Sequence, residues 1–118
     1  ILSCAEPTNP RAVGTWLSYP DLVRLVQRAI DTPVTGFSVV YGVSANDRCP
    51  VDNSGAAHLG YRPRDNAEAF AAEIYAASDP LDPRDRGNAC HGGPFAAIPL
   101  GESGVAHLNL SERDTGGA

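Results

Sequence analysis

The sequence has no lysine and no methionine, and all nine of its basic residues are arginines. It also has no apolar run long enough to cross a membrane, and it does not open with the basic and then apolar stretch of a signal peptide. We therefore expect neither a membrane span nor a visible leader. Because the chain opens on Ile1-Leu2-Ser3-Cys4, which is typical of the end of a buried strand, we expect it to be the C-terminal portion of a larger protein.

Clustered positive charge and a disulfide framework are also missing. The net charge is -5, the pI is about 4.9 and the arginines are scattered, so we do not expect nucleic-acid binding. Three cysteines at irregular spacing favour a reducing, cytoplasmic setting over a disulfide scaffold. The 118 residues, 42% of them hydrophobic, suffice for one modest core.

The first long pattern is a helix followed by a strand. Ser18 and Asp21 form a capping pair with Pro20 in the first turn, which predicts a helix to about Ile30 with one apolar face. The valine-rich run at residues 36–43 predicts a buried strand, parallel because it follows a helix. This alternation favours an α/β fold.

Two further helices and a tail complete the predicted organisation. A short helix ends at Leu59 before Gly60, and another begins near Asp65 or Asn66 and ends by Ser78. We assign residues 1–78 to the α/β portion and residues 79–118, which are rich in Pro, Gly and Asp, to an extended, partly disordered tail. Within the tail we expect a short strand at 105–110 and frayed residues from Ser111 onward.

The candidate binding residues lie at the start of the chain. Ser3 and Cys4 directly follow a predicted strand, where open parallel sheets build their sites. Arg11 lies in the next loop, and its planar guanidinium suits a carboxylate. On composition alone, a solvated loop arginine and a turn serine are the simpler interpretations. A zinc site at Cys90 and His91 is not expected, since the spacing matches no ligand pattern.

An ordered set of short motifs resembles the C-terminal part of the uronate dehydrogenases, which belong to the extended short-chain dehydrogenase/reductase superfamily of the NAD-dependent epimerase/dehydratase type. The set spans most of the chain. It consists of Ser3-Cys4, Arg11, Thr15-Trp16-Leu17-Ser18, GFSVVYGVSAND, Asp52-Asn53-Ser54, Leu59-Gly60-Tyr61, Pro63 and DNAEAF from Asp65. The resemblance implies the C-terminal part of a Rossmann-like, NAD(P)-binding parallel-sheet fold with an irregular Pro/Gly-rich tail.

The resemblance also implies a reaction and a set of roles. Enzymes of this family oxidise C1 of galacturonate or glucuronate to an aldarolactone and pass hydride to NAD. By this resemblance Ser3 lies near substrate and nicotinamide, and Arg11 pairs with the substrate carboxylate. Leu2 and Cys4 are then expected beside the nicotinamide, and Phe95 is expected to close over the substrate.

The chain departs from the family at its catalytic parts. The superfamily uses a Tyr-x-x-x-Lys pair as general base and a glycine-rich turn for the pyrophosphate. Without lysine the pair is impossible in this sequence, and no such turn is present. We therefore predict no catalytic residue in this chain and no turnover by it alone. Two alternatives stay open, a sugar-nucleotide epimerase or dehydratase and a non-catalytic module, and so does a homo-oligomer.

Overall fold

The computed structural model describes residues 3–107 of the chain. It divides into two compact units, the first ending at Pro80 and the second beginning at Leu81. The regular elements of the described residues are all helical. In chain order they are α1 (Ala12–Thr15), α2 (Tyr19–Asp31), a first 3₁₀ helix (Ser54–Leu59), α3 (Glu68–Ala76), α4 (Arg86–Ala89), a second 3₁₀ helix (Gly93–Ala97) and α5 (Gly104–His107).

The predicted long helix is confirmed as α2. Ser18 is its N-cap, and the Ser18 Oγ accepts a hydrogen bond of 3.1 Å from the backbone N–H of Asp21. Pro20 lies in the first turn, where its missing N–H leaves no helical bond unmade. At the other end, the N–H of Thr32 donates to the carbonyl of Arg28 and closes the last turn.

The two following helices also match the predicted positions. The first 3₁₀ helix ends at Leu59. Its C-cap is Gly60, whose φ of 71° lies in the left-handed region that residues with a side chain rarely adopt. The side chain of Asp52 accepts from the N–H of Ser54 at the start of this helix. The side chain of Asn66 accepts from the N–H of Glu68, the first residue of α3.

The core of the first unit lies between α1 and α3. Trp16 is buried there, and its ring meets Phe70 edge to face at 5.6 Å between centroids. The buried members of this cluster are Val13, Trp16, Ala67, Ala71 and Ile74. The tryptophan is therefore a core residue.

The predicted parallel strand at residues 36–43 is not confirmed. That segment has neither helix nor strand, and no strand occurs anywhere in residues 3–107. A strand is defined by hydrogen bonds to a neighbouring strand, and the described residues offer this segment none. Instead, the side chain of Asn53 bonds to both backbone groups of Tyr41, at 2.8 and 2.9 Å.

The apolar face of α2 is present but faces solvent. The helix buries Asp21 and Leu25, whereas Val23, Val26 and Ile30 are exposed. The periodicity of the sequence therefore gave the helix correctly but not the side that it buries.

The second unit contains short helices joined by tight turns. Asp85 caps α4 by accepting from the N–H of Gly87 at 2.8 Å. A Cβ on Gly87 would lie 3.2 Å from the Cα of Pro94, so this glycine allows α4 to pack closely on the second 3₁₀ helix. No helix in the described part of the chain is long and apolar enough to span a membrane.

The strand predicted at residues 105–110 is wrong for its described part. Residues 105–107 belong to α5, next to Ser103, whose hydroxyl accepts a local hydrogen bond from the N–H of Ala106. Residues 108–110, the frayed end predicted from Ser111 and the strand end predicted at Ile1 and Leu2 lie outside the described residues.

Candidate functional site

The segment that contains Ser3 is held against the backbone between α1 and α2. The Ser3 hydroxyl donates to the carbonyl of Leu17 at 2.9 Å, and the N–H of Cys4 donates to the same carbonyl at 3.3 Å. The indole N–H of Trp16 donates in return to the carbonyl of Cys4 at 3.0 Å. Residues 3 and 4 are thereby fixed to residues 16 and 17.

Arg11 lies at the other end of the same short stretch. It directly precedes α1, and its carbonyl accepts from the N–H of Gly14 at 3.2 Å and from the Thr15 hydroxyl at 3.4 Å. Its side chain is half-buried. The segment from Arg11 to Leu17 therefore begins with one of the two predicted residues, and the other, Ser3, is hydrogen-bonded to its last residue.

The hydrogen bond of Ser3 decides what its hydroxyl can do. Because the hydroxyl hydrogen points to the Leu17 carbonyl, the oxygen keeps lone pairs that can accept a hydrogen bond from a sugar hydroxyl. Cys4 is exposed, and its thiol donates weakly to the carbonyl of Glu6 at 3.3 Å. Leu2, the third residue predicted beside a nicotinamide, lies outside the described residues.

Phe95 belongs to the second unit. It lies in the second 3₁₀ helix, where Gly93 has a φ of 66° and Pro94 occupies the first turn. The Phe95 ring is exposed. Its predicted closure over a substrate stays a prediction.

A buried asparagine, for which the sequence analysis assigned no role, holds the end of the segment that lies next to Leu17. The Asn46 side chain donates to the carbonyls of Gly14 and Trp16, at 3.3 and 2.9 Å, and accepts from the N–H of Ala67 at 3.0 Å. The backbone of Gly14 lies so close to the backbone of Arg48 that a Cβ on Gly14 would be 2.7 Å from the Arg48 carbonyl oxygen. Asn46 therefore joins the end of α1 to the start of α3.

Asp21 is a second residue whose role the sequence understated. The capping pattern identified it, but the structure buries it completely and gives its carboxylate the backbone N–H groups of Arg64 and Asp65, at 2.9 and 3.0 Å. Burial acts to raise the pKa of Asp21, but hydrogen bonds from Ser44, from those two N–H groups and from Arg24 outweigh it, so the pKa lies below its ordinary value. Because its acceptor sites are occupied, this carboxylate is a structural anchor.

The pKa of Tyr61 is affected by the nearby carboxylate of Asp21. Burial raises the pKa of its phenol well above the ordinary value, and the negative charge of Asp21 adds to the shift. The phenol donates to the carbonyl of Val43 at 2.8 Å. Tyr61 is therefore a neutral hydrogen-bond donor near neutral pH and is unsuited to act as a base.

Ser38 and His58 form a pair whose spacing invites a nucleophile-and-base interpretation. The Ser38 Oγ lies 2.8 Å from the His58 Nε2. However, the Ser38 hydroxyl donates to the carbonyl of Thr35, so His58 Nε2 must carry the hydrogen that joins the pair. An Nε2 that donates cannot take a proton from the serine, and the pair is not an activated nucleophile.

Two features of the described residues bear on the binding of a metal ion or of a dinucleotide pyrophosphate. No group of three or more metal-ligating side chains occurs in residues 3–107. The start of α2, the longest described helix, is already occupied by its cap Ser18 and by the buried carboxylate of Asp21. An anion bound at the start of α2 would be repelled by the carboxylate of Asp21, which its hydrogen bonds keep ionised by lowering its pKa.

Several known proteins with similar sequence and structure are uronate or glucuronic acid dehydrogenases. The chain is 44% identical over 101 residues to the uronate dehydrogenase of Agrobacterium fabrum. The matched residues are 85% of this chain and 38% of that protein. It superposes with a TM-score of 0.77 on the crystal structure of a glucuronic acid dehydrogenase from Chromohalobacter salexigens, at 38% identity and covering 83% of this chain and 37% of that one.

A third comparison involves a bound cofactor. A mutant uronate dehydrogenase from Agrobacterium tumefaciens, solved in complex with NAD, matches with a TM-score of 0.76 at 40% identity over 86% of this chain and 38% of that one. No family model matches the chain. The chain spans between a third and two fifths of the length of these relatives, and the resemblance found in its motifs is confirmed.

Proposed function

We propose that this chain, a homologue of the uronate dehydrogenases, forms the substrate side of an NAD-dependent enzyme that oxidises C1 of galacturonate or glucuronate to an aldarolactone. The single observation that carries the proposal is the 44% identity over 101 residues, which includes most of the chain. NAD supplies the hydride acceptor of that reaction.

The short segment from Arg11 to Leu17 supports specific roles at the substrate. Arg11 would form a bidentate pair with the uronate carboxylate, which is the group that distinguishes a uronic acid from a neutral sugar. Ser3, with its hydrogen directed to Leu17, would accept a hydrogen bond from a substrate hydroxyl. Phe95 would cover the bound sugar. These residues bind and orient, and none of them is proposed as the base.

NAD binding falls mainly to parts of a full-length enzyme that this chain does not span. The start of α2, the longest described helix, does not suit a pyrophosphate, because Ser18 and the buried carboxylate of Asp21 occupy it. At this end we propose only that Leu2, Ser3 and Cys4 line the nicotinamide side. The absence of lysine supports the expectation that the chain alone is inactive.

Three finer features complete the proposal. Residues 36–43 would join a parallel Rossmann-type sheet in the full-length enzyme. Cys4 and Cys49 form no disulfide, which suits a reducing cytoplasm. Assembly as a homo-oligomer stays open.

The test replaces the matched 101 residues of the Agrobacterium fabrum enzyme with the corresponding part of this chain and measures uronate oxidation. We expect the chimera to oxidise a uronate, and Arg11→Ala to raise KM for that uronate by about tenfold or more, since a charge-assisted bidentate pair contributes at least the ~1.4 kcal/mol that tenfold requires.

The matched control is Arg62→Ala, which removes an exposed arginine of the same unit and should leave KM unchanged. The neutral aldose that lacks the carboxylate is a second control. Arg11→Ala should leave the KM for this aldose unchanged, because it has no carboxylate for Arg11 to bind. A folded chimera whose KM for uronate is the same with and without Arg11 would remove the proposed role of that residue.

A further inference from the structure

The peptide group that joins Leu17 to Ser18, the 17–18 peptide, is held from both sides. On one side, its carbonyl accepts a hydrogen bond from the Ser3 hydroxyl at 2.9 Å and another from the N–H of Cys4 at 3.3 Å. On the other side, its N–H donates to the Ser44 Oγ at 3.0 Å. Leu17, Ser18 and Ser44 are all buried. A buried peptide group therefore connects the hydroxyl of Ser44 to that of Ser3.

The planarity of the 17–18 peptide makes its two sides dependent on each other. The peptide is trans, so its N–H and its C=O lie in one plane and point in opposite directions. A contact that fixes the N–H therefore also fixes the direction of the carbonyl. The bond to the Ser44 Oγ thus sets how the Leu17 carbonyl faces Ser3. The same bond polarises the amide, which strengthens its carbonyl as an acceptor.

Ser44 is itself fixed by two further hydrogen bonds. Its backbone N–H donates to the carbonyl of Trp16 at 2.8 Å, and its hydroxyl donates to the buried carboxylate of Asp21. Because the hydroxyl hydrogen is directed at that carboxylate, the Ser44 oxygen faces the N–H of Ser18 as an acceptor. Ser44 is thus fixed inside the first unit, whereas Ser3 is half-buried.

We infer that Ser44 is a positioning residue, which orients the Ser3 hydroxyl toward the uronate through the 17–18 peptide. The inference rests on the proposed function, in which Ser3 accepts a hydrogen bond from a substrate hydroxyl. Removal of the Ser44 oxygen would leave the buried N–H of Ser18 without its acceptor and allow the peptide plane to tilt. The Ser3 hydrogen would then lose its fixed acceptor, and the Ser3 oxygen would lose its fixed direction.

The first measurement is hydrogen exchange in the full 118-residue chain. Ser44→Ala should speed the exchange of the Ser18 amide and of the Trp16 indole N–H by about tenfold or more. The indole N–H donates to the carbonyl of Cys4 at 3.0 Å, so its exchange reports whether residues 3 and 4 stay in place. Each rate is divided by that of the Leu25 amide inside α2, which reports any general loss of stability.

The matched control for exchange is Thr32→Val. It also removes a hydroxyl that bonds to the backbone, here to the carbonyls of Arg28 and Leu59 at the other end of α2, and it should leave both exchange ratios unchanged. Ser44→Thr retains the hydroxyl and should keep both ratios near those of the unchanged chain. Ratios that stay the same in Ser44→Ala would overturn the inference.

The second measurement places the same substitutions in the chimera with the Agrobacterium fabrum enzyme. Ser44→Ala should raise KM for the uronate by about threefold to tenfold with little change in kcat, because a neutral hydrogen bond to the substrate is lost. In a chimera that already carries Ser3→Ala, the same substitution should raise KM no further, since Ser44 acts through Ser3. Thr32→Val should leave KM unchanged.

Two kinetic results would also overturn the inference. One is an equal rise in KM on Ser44→Ala with and without the Ser3 hydroxyl, and the other is a rise as large in Thr32→Val. Either would show a general effect of stability on the site. A chimera that oxidises no uronate would refute the proposed function, and the exchange ratios would still decide whether Ser44 positions Ser3.

Discussion

At the residue scale, the interactions that shape the candidate site come mostly from polar side chains that bond to the backbone. Asn46 holds Gly14, Trp16 and Ala67 together, and Asp21 holds the backbone of residues 64 and 65. The sequence identified Asp21 only through its capping pattern and gave Asn46 no role. Their partners lie 21 to 44 residues away, and no local pattern encodes a bond over such a distance.

Asp21→Asn tests the anchor at neutral pH. Asparagine retains one carbonyl oxygen but turns an amide toward an N–H donor, so one buried backbone group loses its partner. We expect the free energy of unfolding in urea to fall by about 1–3 kcal/mol. Asp31→Asn, an exposed acid on the same helix, should change it by less than about 0.5 kcal/mol.

The pH dependence of the same pair tests the sign of the titration. The pKa of Asp21 is below its ordinary value of 3.8, so its stabilising contribution is present above about pH 4 and is lost as the pH falls through the lower folded-state value. The difference in unfolding free energy between the unchanged chain and Asp21→Asn should therefore shrink as the pH falls below about 4. A difference that grows on acidification would contradict the assignment.

At the element scale, sequence patterns within a few residues predicted the helices correctly. They did not predict the features that depend on a neighbouring element. Ser18, Pro20 and Gly60 sit at helix ends, and each acts through contacts within a few residues, which the sequence shows directly. The strand at 36–43 needs a partner strand, and residues 3–107 contain none. The buried side of α2 also depends on what packs against it, so its periodicity did not determine which face is covered.

Gly60→Ala tests the helix stop. Its φ of 71° disfavours any side chain, and an added Cβ would lie 3.3 Å from the Arg28 Nε, which donates to the Leu59 carbonyl. We expect a loss of about 1 kcal/mol in the free energy of unfolding. Gly55→Ala is the control, because a Cβ there meets nothing within 4 Å and the residue lies inside the same 3₁₀ helix. Equal effects of the two substitutions would show that the left-handed conformation is not what Gly60 provides.

At the scale of the whole molecule, an ordered set of motifs predicted a resemblance to the uronate dehydrogenases, and the relatives confirm that resemblance. The candidate site is less complete. Ser3 and Arg11 attach to one segment, Leu2 lies outside the described residues and Phe95 belongs to the second unit. Because the sequence has no lysine, it cannot contain the Tyr-x-x-x-Lys pair that the resemblance led us to look for.

The most direct test of the account measures NADH formation from NAD and a uronate by three samples. These are the 118-residue chain alone, the remaining part of the Agrobacterium fabrum enzyme alone, and the two co-expressed. The account predicts no turnover by either part and uronate-dependent turnover by the complex, lost when Arg11 is replaced by alanine at low uronate concentration. Turnover by the chain alone, or a folded complex that binds NAD but leaves uronate unoxidised, would contradict it.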